Sequence, residues 1–276
     1  MIEKKMFFFW SGDKMSFLRY MTLYSFCKLN PDWEVTLYVS KRFDRTKTWY
    51  SINQQDYLQY AGEDYFNRIP SKVKIVDWQL INPNNNQLMN LTPVHLCDYC
   101  EWEHLYKDGG FYADMDILFV KPLDNLYNFI NENNYDTVVS HRGFFSIGFL
   151  ACNKDNRFFK DIYDKSFISY RGDYQSIGVE LWYGHLGGGC GTEHYDTMVN
   201  WYNDLKIYNF PFNIIYPWDY TMLPEIFEKV NRVPEESYSI HWYAGDPYSQ
   251  KYNSMINEHT FRSMNSTICN YMKELL

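Results

Sequence analysis

Asp114 and Asp116, separated by Met115, are the residues whose type and spacing point most directly to chemistry. Two acids one residue apart at a strand end can turn their carboxylates onto one divalent ion, and hard oxygens suit Mg²⁺ or Mn²⁺. Such an ion bridges the diphosphate of a nucleotide donor and neutralises it as a leaving group. An isolated Asp-x-Asp is most often a solvated turn. Here the pair follows Gly109-Gly110-Phe111-Tyr112-Ala113 and precedes an apolar stretch, 117–120, closed by Lys121-Pro122. A double glycine, an aromatic strand, the acids and a second apolar strand together make a candidate metal site.

The elements that must position this pair read as alternating strands and helices. Residues 5–10 form a short apolar run, followed by a Ser11-Gly12-Asp13 turn. From Ser16, the apolar residues Phe17, Tyr20, Met21, Tyr24 and Cys27 recur at helical spacing until Asn30-Pro31. Residues 34–39 alternate as a strand, giving a β-α-β opening. Residues 41–69 read as polar, aromatic and helical. A short strand is expected at 73–76 and an Asn-rich loop at 82–90. Thr92-Pro93 predicts a helix start, with Thr as N-cap and Pro as first residue, running to 106. Asp108-Gly109-Gly110 ends it. Further on, the pattern predicts a helix over 123–131, a strand over 137–140, an apolar stretch over 144–152 and a helix over 158–168. It then predicts a flexible loop at 187–191, a helix over 194–205 and a strand over 237–242. The expected fold class is α/β, a Rossmann-like mostly parallel central sheet with flanking helices. Residues 1–276 read as one domain, with 1–125 as a nucleotide- and metal-binding half and 126–276 as an acceptor-side half.

The bulk composition limits the partners. The chain has 276 residues, 46% hydrophobic, enough for a sizeable core. A net charge of −8 argues against nucleic acid, whose backbone rewards clustered Lys and Arg. Six cysteines are too sparse for a disulfide scaffold, and Cys97 and Cys100 have no second pair to complete a zinc site. They read as small packing residues on a helix. Neither a signal peptide nor a transmembrane stretch is recognisable, so the expected location is cytoplasmic. The sequons at Asn90 and Asn265 would matter only in a secretory compartment.

The segment from Cys97-Asp98 to Lys121-Pro122-Leu123 resembles the glycosyltransferases with a "sugar-binding region containing Asp-x-Asp". This family includes yeast-type α-mannosyltransferases, α-1,4-galactosyltransferases and capsule-synthesis enzymes. Its pattern is Ser-Asp-x-x-Arg, then Leu-Tyr-x-x-Gly-Gly-x-Tyr-x-Asp-x-Asp. Asp98, Leu105, Tyr106, Gly109, Gly110, Tyr112, Asp114 and Asp116 stand at the matching spacing. The resemblance implies a GT-A-type fold and a retaining hexosyl transfer from a nucleotide sugar, UDP-sugar favoured over GDP-sugar, to a glycan or other hydroxyl acceptor. It makes Mn²⁺ or Mg²⁺ the cofactor and gives Asp114, Asp116 and Asp98 catalytic roles, Asp98 by hydrogen-bonding donor sugar hydroxyls.

Outside that core, Phe9-Trp10-Ser11-Gly12 resembles the first-strand segment that borders the nucleotide, with Trp10 as a stacking platform. Donor contacts are thus expected from Phe9, Trp10, Ser11, Asp98, Tyr112 and Asp114. Ser239 to Gly245 resembles the C-terminal His segment, which makes His241 a third metal ligand. Ser146-Ile147-Gly148 falls where the family has an Asn-Gly strand lining the sugar pocket.

The chain departs from the family at two places. Glu101 stands where the family has Arg, on one helix face with Asp98, and cannot donate the hydrogen bonds an Arg would. Asp246-Pro247 replaces a Ser-Trp that touches the diphosphate, with Tyr248 or Lys251 as substitutes. Asp173 and Glu180 are candidate acceptor-side acids. Two other functions remain open: a catalytically silent carbohydrate-binding protein and a sugar nucleotidyltransferase. The latter calls for a basic, Gly-rich loop after the first strand, and Trp10-Ser11-Gly12-Asp13 lacks the basic residue.

Overall fold

The first β-α-β unit forms where its spacing places it. In the computed structural model, which describes residues 1–41, 60–78, 88, 91–188 and 193–276, strand β1 spans Lys5–Ser11 and strand β2 Glu34–Ser40. They pair in parallel from Lys5↔Glu34 to Ser11↔Ser40. Helix α1 (Phe17–Leu29) joins them; the Ser16 hydroxyl accepts from the Arg19 amide and Asn30 closes the last turn. Most of the expected 41–69 helix, the 82–90 loop, the Asn90 sequon and Gly189 to Gly191 lie outside the described residues.

Strand β3 (Lys74–Asp77) pairs in parallel with β2, and β4 (Gly110–Ala113) pairs in parallel with β1 on its other side. Helix α2 (Pro93–Lys107) delivers β4 through Gly109-Gly110, at φ 67° and 93°. A Cβ at Gly109 would stand 2.5 Å from the Lys154 amide nitrogen, so this left-handed turn needs glycine. Pro93 begins α2 as expected. Thr92 has the extended backbone of a cap, but its hydroxyl pairs with His95 Nδ1 (2.8 Å) instead of a helix amide.

Strands β6 (Thr137–His141), β7 (Phe145–Cys152) and β8 (Ile207–Asn209) complete a seven-stranded sheet, ordered β3-β2-β1-β4-β7-β6-β8. Strand β7 is antiparallel to β4 and β6; every other neighbour pair is parallel. The flanking helices include α3 (Asp124–Glu132), α4 (Arg157–Ser169), α5 (Val179–His185), α6 (Glu193–Trp201), α7 (Leu223–Phe227), α8 (Pro247–Met255) and α9 (Thr267–Leu275). The α/β class with a mostly parallel sheet is therefore as expected. Both faces of β1 are covered, as a central strand requires. Met6, Phe8 and Trp10 pack on one side with Phe26, Trp33 and Phe111. Phe7 packs on the other with Trp102, Tyr112 and Trp182, and Phe9 with Trp78 and Tyr99.

The 117–120 stretch forms a strand, β5 (Ile117–Phe119), but outside the main sheet. Both edges of β4 are already taken by β1 and β7, so the chain leaving it cannot continue in the sheet. β5 instead pairs antiparallel with β9 (Ser239–His241) in a two-stranded ribbon. Helix α1 braces this departure. Thr22 Oγ1 donates to the Met115 carbonyl (3.0 Å), Ser25 Oγ accepts from the Phe119 amide (3.1 Å), and Asn30 Oδ1 accepts from the Leu123 amide (2.8 Å). Among the described residues, no helix is long and apolar enough to cross a membrane.

Asn30 is wholly buried and also donates to the Phe26 carbonyl. Asn30→Ala would leave the Leu123 amide without its partner, so the expected cost is about 1–3 kcal/mol of unfolding free energy. Chemical denaturation measures it, and a variant as stable as the parent would show that this brace does not hold the ribbon.

Candidate functional site

The register of the β5–β9 ribbon assembles the site. Ile117 lies opposite His241, so the residue before Ile117 meets the segment after β9. His241 Nε2 is 2.9 Å from Asp116 Oδ1, and the Ala244 amide donates to Asp116 Oδ2 (2.7 Å). The Trp242 amide donates to the Asp116 carbonyl (2.9 Å). Asp114 is fixed from the other side: its amide donates to the Gly148 carbonyl (2.8 Å), and the Tyr112 hydroxyl donates to its Oδ1 (2.5 Å). Cys97 Sγ lies 3.0 Å from that same hydroxyl. Gly148 leaves room for the carboxylate, since a Cβ there would come within 2.6 Å of Asp114 Oδ2.

Asp114, Asp116 and His241 each bring a ligand atom, all within 4.8 Å of one another. His241 Nδ1 is buried without a hydrogen-bond partner. Two carboxylates and one imidazole form a donor set that fits Mn²⁺ or Mg²⁺. The other cluster of this kind among the described residues, Glu63, Glu258 and His259, is largely exposed, and Arg68 bridges its two glutamates.

The two aspartates are driven apart electrostatically. Burial pushes the Asp114 carboxyl up, Asp116 adds to that, and the balance stands at about 6 despite opposing help from His241, Tyr112 and Arg19. Burial also works against ionised Asp116, but the charge and hydrogen bond of His241, with Arg19 and the Ala244 amide, hold it down to about 2. Burial alone would lower the His241 imidazole; Asp116 and Asp114 reverse this and raise it.

Arg19 is a site residue that no motif revealed. It sits on α1 with its guanidinium 5.2 Å from the Trp10 ring centre and 5.6 Å from that of Trp242. Two aromatic faces thus hold a cation beside the acid pair. Its position three residues after the Ser16 cap is a legible sequence feature, but the contact with Trp242 is not. Trp10 therefore lies at the site, under Arg19, and Ser11 carries a buried hydroxyl without a partner. Phe9, expected beside them, points to the opposite face of the sheet and meets Trp78 edge-on at 5.8 Å. It acts as core packing.

Asp98 is buried on α2, and its Oδ2 has no partner. Glu101, one turn on, is 1% exposed with an unpaired Oε1. Burial first, then Asp114, pushes both carboxyls well above their usual range. The 173–178 segment runs against α2 and reaches Asp98 at Gly178, tied to the helix by Trp102 Nε1 donating to the Ile177 carbonyl (2.7 Å) and His95 Nε2 against the Asp173 carbonyl (2.8 Å). Asp173 and Glu180 are exposed and bridged by Arg171, so they form a surface ion-pair group. Asp246 is the N-cap of α8, its carboxylate accepting from the Tyr248 amide, with Pro247 as first residue. Tyr248 packs beside Phe227 and Tyr252, and the Lys251 ammonium lies over Tyr252.

With this geometry in view, the class is clear. Residues 19–135 match the model of the family described as "Glycosyltransferase sugar-binding region containing DXD motif". The resemblance carried by Asp98 to Asp116 holds, and with it the enzyme class, a glycosyltransferase. No curated protein sequence matches the chain. Similar solved structures include the glycosyltransferase GlyE of Streptococcus pneumoniae TIGR4, at 12% identity and a TM-score of 0.49, covering 100% of this chain and 64% of that one. PaToxG glycosyltransferase stands at 15% and 0.43, covering 73% and 70%. LgtC stands at 10% and 0.43, covering 93% and 98%.

Asp98, Glu101, Asp114 and His241 all have pKa values raised by folding. Through these four groups the folded chain binds more protons than the unfolded chain between pH 5 and 8, so their contribution to stability falls as pH rises there; His185, lowered by burial and Lys165, works the other way. Asp116 has the opposite sign, but its contribution is lost only below its ordinary range, as pH falls through about 2. In chelator, the melting temperature should drop from pH 5 to pH 8, and Glu101→Gln should flatten the slope. A melting temperature that rises across this window would contradict the assignment.

Proposed function

We propose that this chain is a metal-dependent, retaining hexosyltransferase of GT-A type that takes a nucleotide-sugar donor, UDP-sugar in preference to GDP-sugar, and a hydroxyl acceptor. The observation that carries the proposal is the meeting of Asp114, Asp116 and His241 ligand atoms within 4.8 Å, at the strand end beside the buried carboxyls of α2. A bound Mn²⁺ or Mg²⁺ would supply charge neutralisation of the diphosphate leaving group.

The chain's own residues supply position and charge. Tyr112 and the Gly148 carbonyl fix Asp114, while His241 and the backbone of Trp242 and Ala244 fix Asp116. Arg19 offers a guanidinium to a diphosphate, and the Ser11 hydroxyl offers a free donor at the end of β1. Asp98 meets hydroxyls of the donor sugar. The Tyr216 ring lies 5.3 Å from that of His241 and lines a cleft of about 240 Å³ with Arg142, Phe212, Asp219 and Met222. This cleft is the acceptor entrance, consistent with an N-terminal donor half and a C-terminal acceptor half. The acceptor oxygen bonds to the anomeric carbon on the face the phosphate leaves, and its proton passes to the departing phosphate oxygen. Positioning the two reactants supplies most of the acceleration.

Asp114→Ala and Asp116→Ala should each abolish transfer and leave the circular dichroism spectrum unchanged; full activity in either, or in excess chelator, would reject the mechanism. A thermal-shift panel of UDP- and GDP-sugars with and without Mn²⁺ tests the donor directly, because binding to the folded form raises the melting temperature. The correct donor should shift it only with the metal. Subsequent slow donor hydrolysis would separate an enzyme from a silent sugar-binding protein. Gly148→Ala should weaken Mn²⁺ binding by displacing the Asp114 carboxylate, seen as a smaller metal-induced shift.

A further inference from the structure

We propose that Glu101 is a specificity-determining residue of the donor-sugar pocket: with Asp98 it accepts hydroxyl hydrogen bonds from a neutral hexose and excludes a sugar that carries its own carboxylate. The inference rests on the donor reading above.

The two acids lie three residues apart on α2, on one helix face. Asp98 is 6% exposed and Glu101 1%. Each has a carboxyl oxygen, Asp98 Oδ2 and Glu101 Oε1, with no partner among the described residues. No described Lys or Arg forms an ion pair with either. Buried carboxyls without partners are costly, and native structures seldom retain them. Two such groups side by side, in electrostatic reach of Asp114, point to partners that arrive with a ligand.

The surroundings suit a sugar. Gly178 lets its backbone approach Asp98 closely: a Cβ there would stand 2.6 Å from Gln175 Oε1, 3.4 Å from Asp98 Oδ2 and 3.5 Å from Ile147 Cδ1, so polar groups and an apolar side chain meet at these acids. Burial favours the uncharged form of both acids, which matches a ligand without charge. An Arg at position 101 would pair with a sugar carboxylate, whereas Glu101 supplies no cation, so that carboxylate would enter a buried site beside Asp114 with its charge uncompensated. The departure from the family pattern thus becomes a statement about the substrate: neutral hexose, not uronic acid.

The test uses the full chain with Mn²⁺ and compares UDP, UDP-glucose, UDP-galactose, UDP-N-acetylglucosamine and UDP-glucuronate, with GDP and GDP-mannose in parallel. In the parent protein, at least one neutral donor should bind more tightly than its nucleotide alone, and UDP-glucuronate should not. Glu101→Leu should weaken binding of that donor about tenfold and leave the affinity for the bare nucleotide unchanged. Glu101→Gln should restore most of the loss, because its amide oxygen accepts. A purely structural Glu101 predicts the reverse: Glu101→Leu binds every ligand as the parent does, and that result overturns the inference. UDP-glucuronate binding as tightly as the neutral donors also overturns it, and this arm needs no variant. Absence of any nucleotide binding by the parent would fell the donor reading and this inference with it, whereas intact nucleotide binding with unaltered sugar preference fells this inference alone.

Discussion

Asp116 is the point on which the rest of the site depends. Its carboxylate takes His241 and the Ala244 amide, and its carbonyl takes the Trp242 amide. Three contacts from one residue join the end of the main sheet to a segment far along the chain. They also settle the charge asymmetry of the pair. Asp116 is held ionised by its partners, while Asp114, with Tyr112 as its close side-chain donor among the described residues, carries the proton more readily.

Around this joint the molecule places opposing charge in layers. Arg19 lies between the Trp10 and Trp242 rings on one side, and the Asp98–Glu101 pair lies buried on the other. The cation is held by aromatic faces, and among the described residues it forms no ion pair. The acids of α2 are likewise held by packing: Trp102 and His95 tie the 173–178 segment against the helix through backbone carbonyls. Shape fixes these groups while their polar atoms remain uncommitted.

Much of this was legible in the sequence, for physical reasons. An apolar run located β1, period-3.6 spacing located α1, period-2 alternation located β2, and a Thr92-Pro93 start with an Asp108-Gly109-Gly110 stop located α2. Gly109-Gly110 announced a left-handed turn, and Asp114-x-Asp116 announced paired hard ligands. Three features stayed hidden. The partner of β5 is set by competition for the edges of β4, which no local pattern records. Phe9 and Trp10 looked like one nucleotide-facing unit, yet adjacent strand residues face opposite sides, and the burial of both faces of β1 removed the alternation that would have warned of it. Arg19 meets Trp242 only through the tertiary fold. Helix α8 was missed despite a legible signal, since Asp246 as N-cap and Pro247 at the first position are a regular helix start.

The long reach from Asp116 to Ala244 also orders events during synthesis. The first four strands and α1 emerge from the ribosome long before β9, so the strand Ile117–Phe119 must wait with an unpaired edge for a partner more than a hundred residues away. A nascent chain can build most of the sheet but has no His241 beside the acid pair and no anchor for Asp116 until residue 244 is free. The candidate site is therefore incomplete until that segment arrives, and a chain interrupted before it would carry the motif without the site.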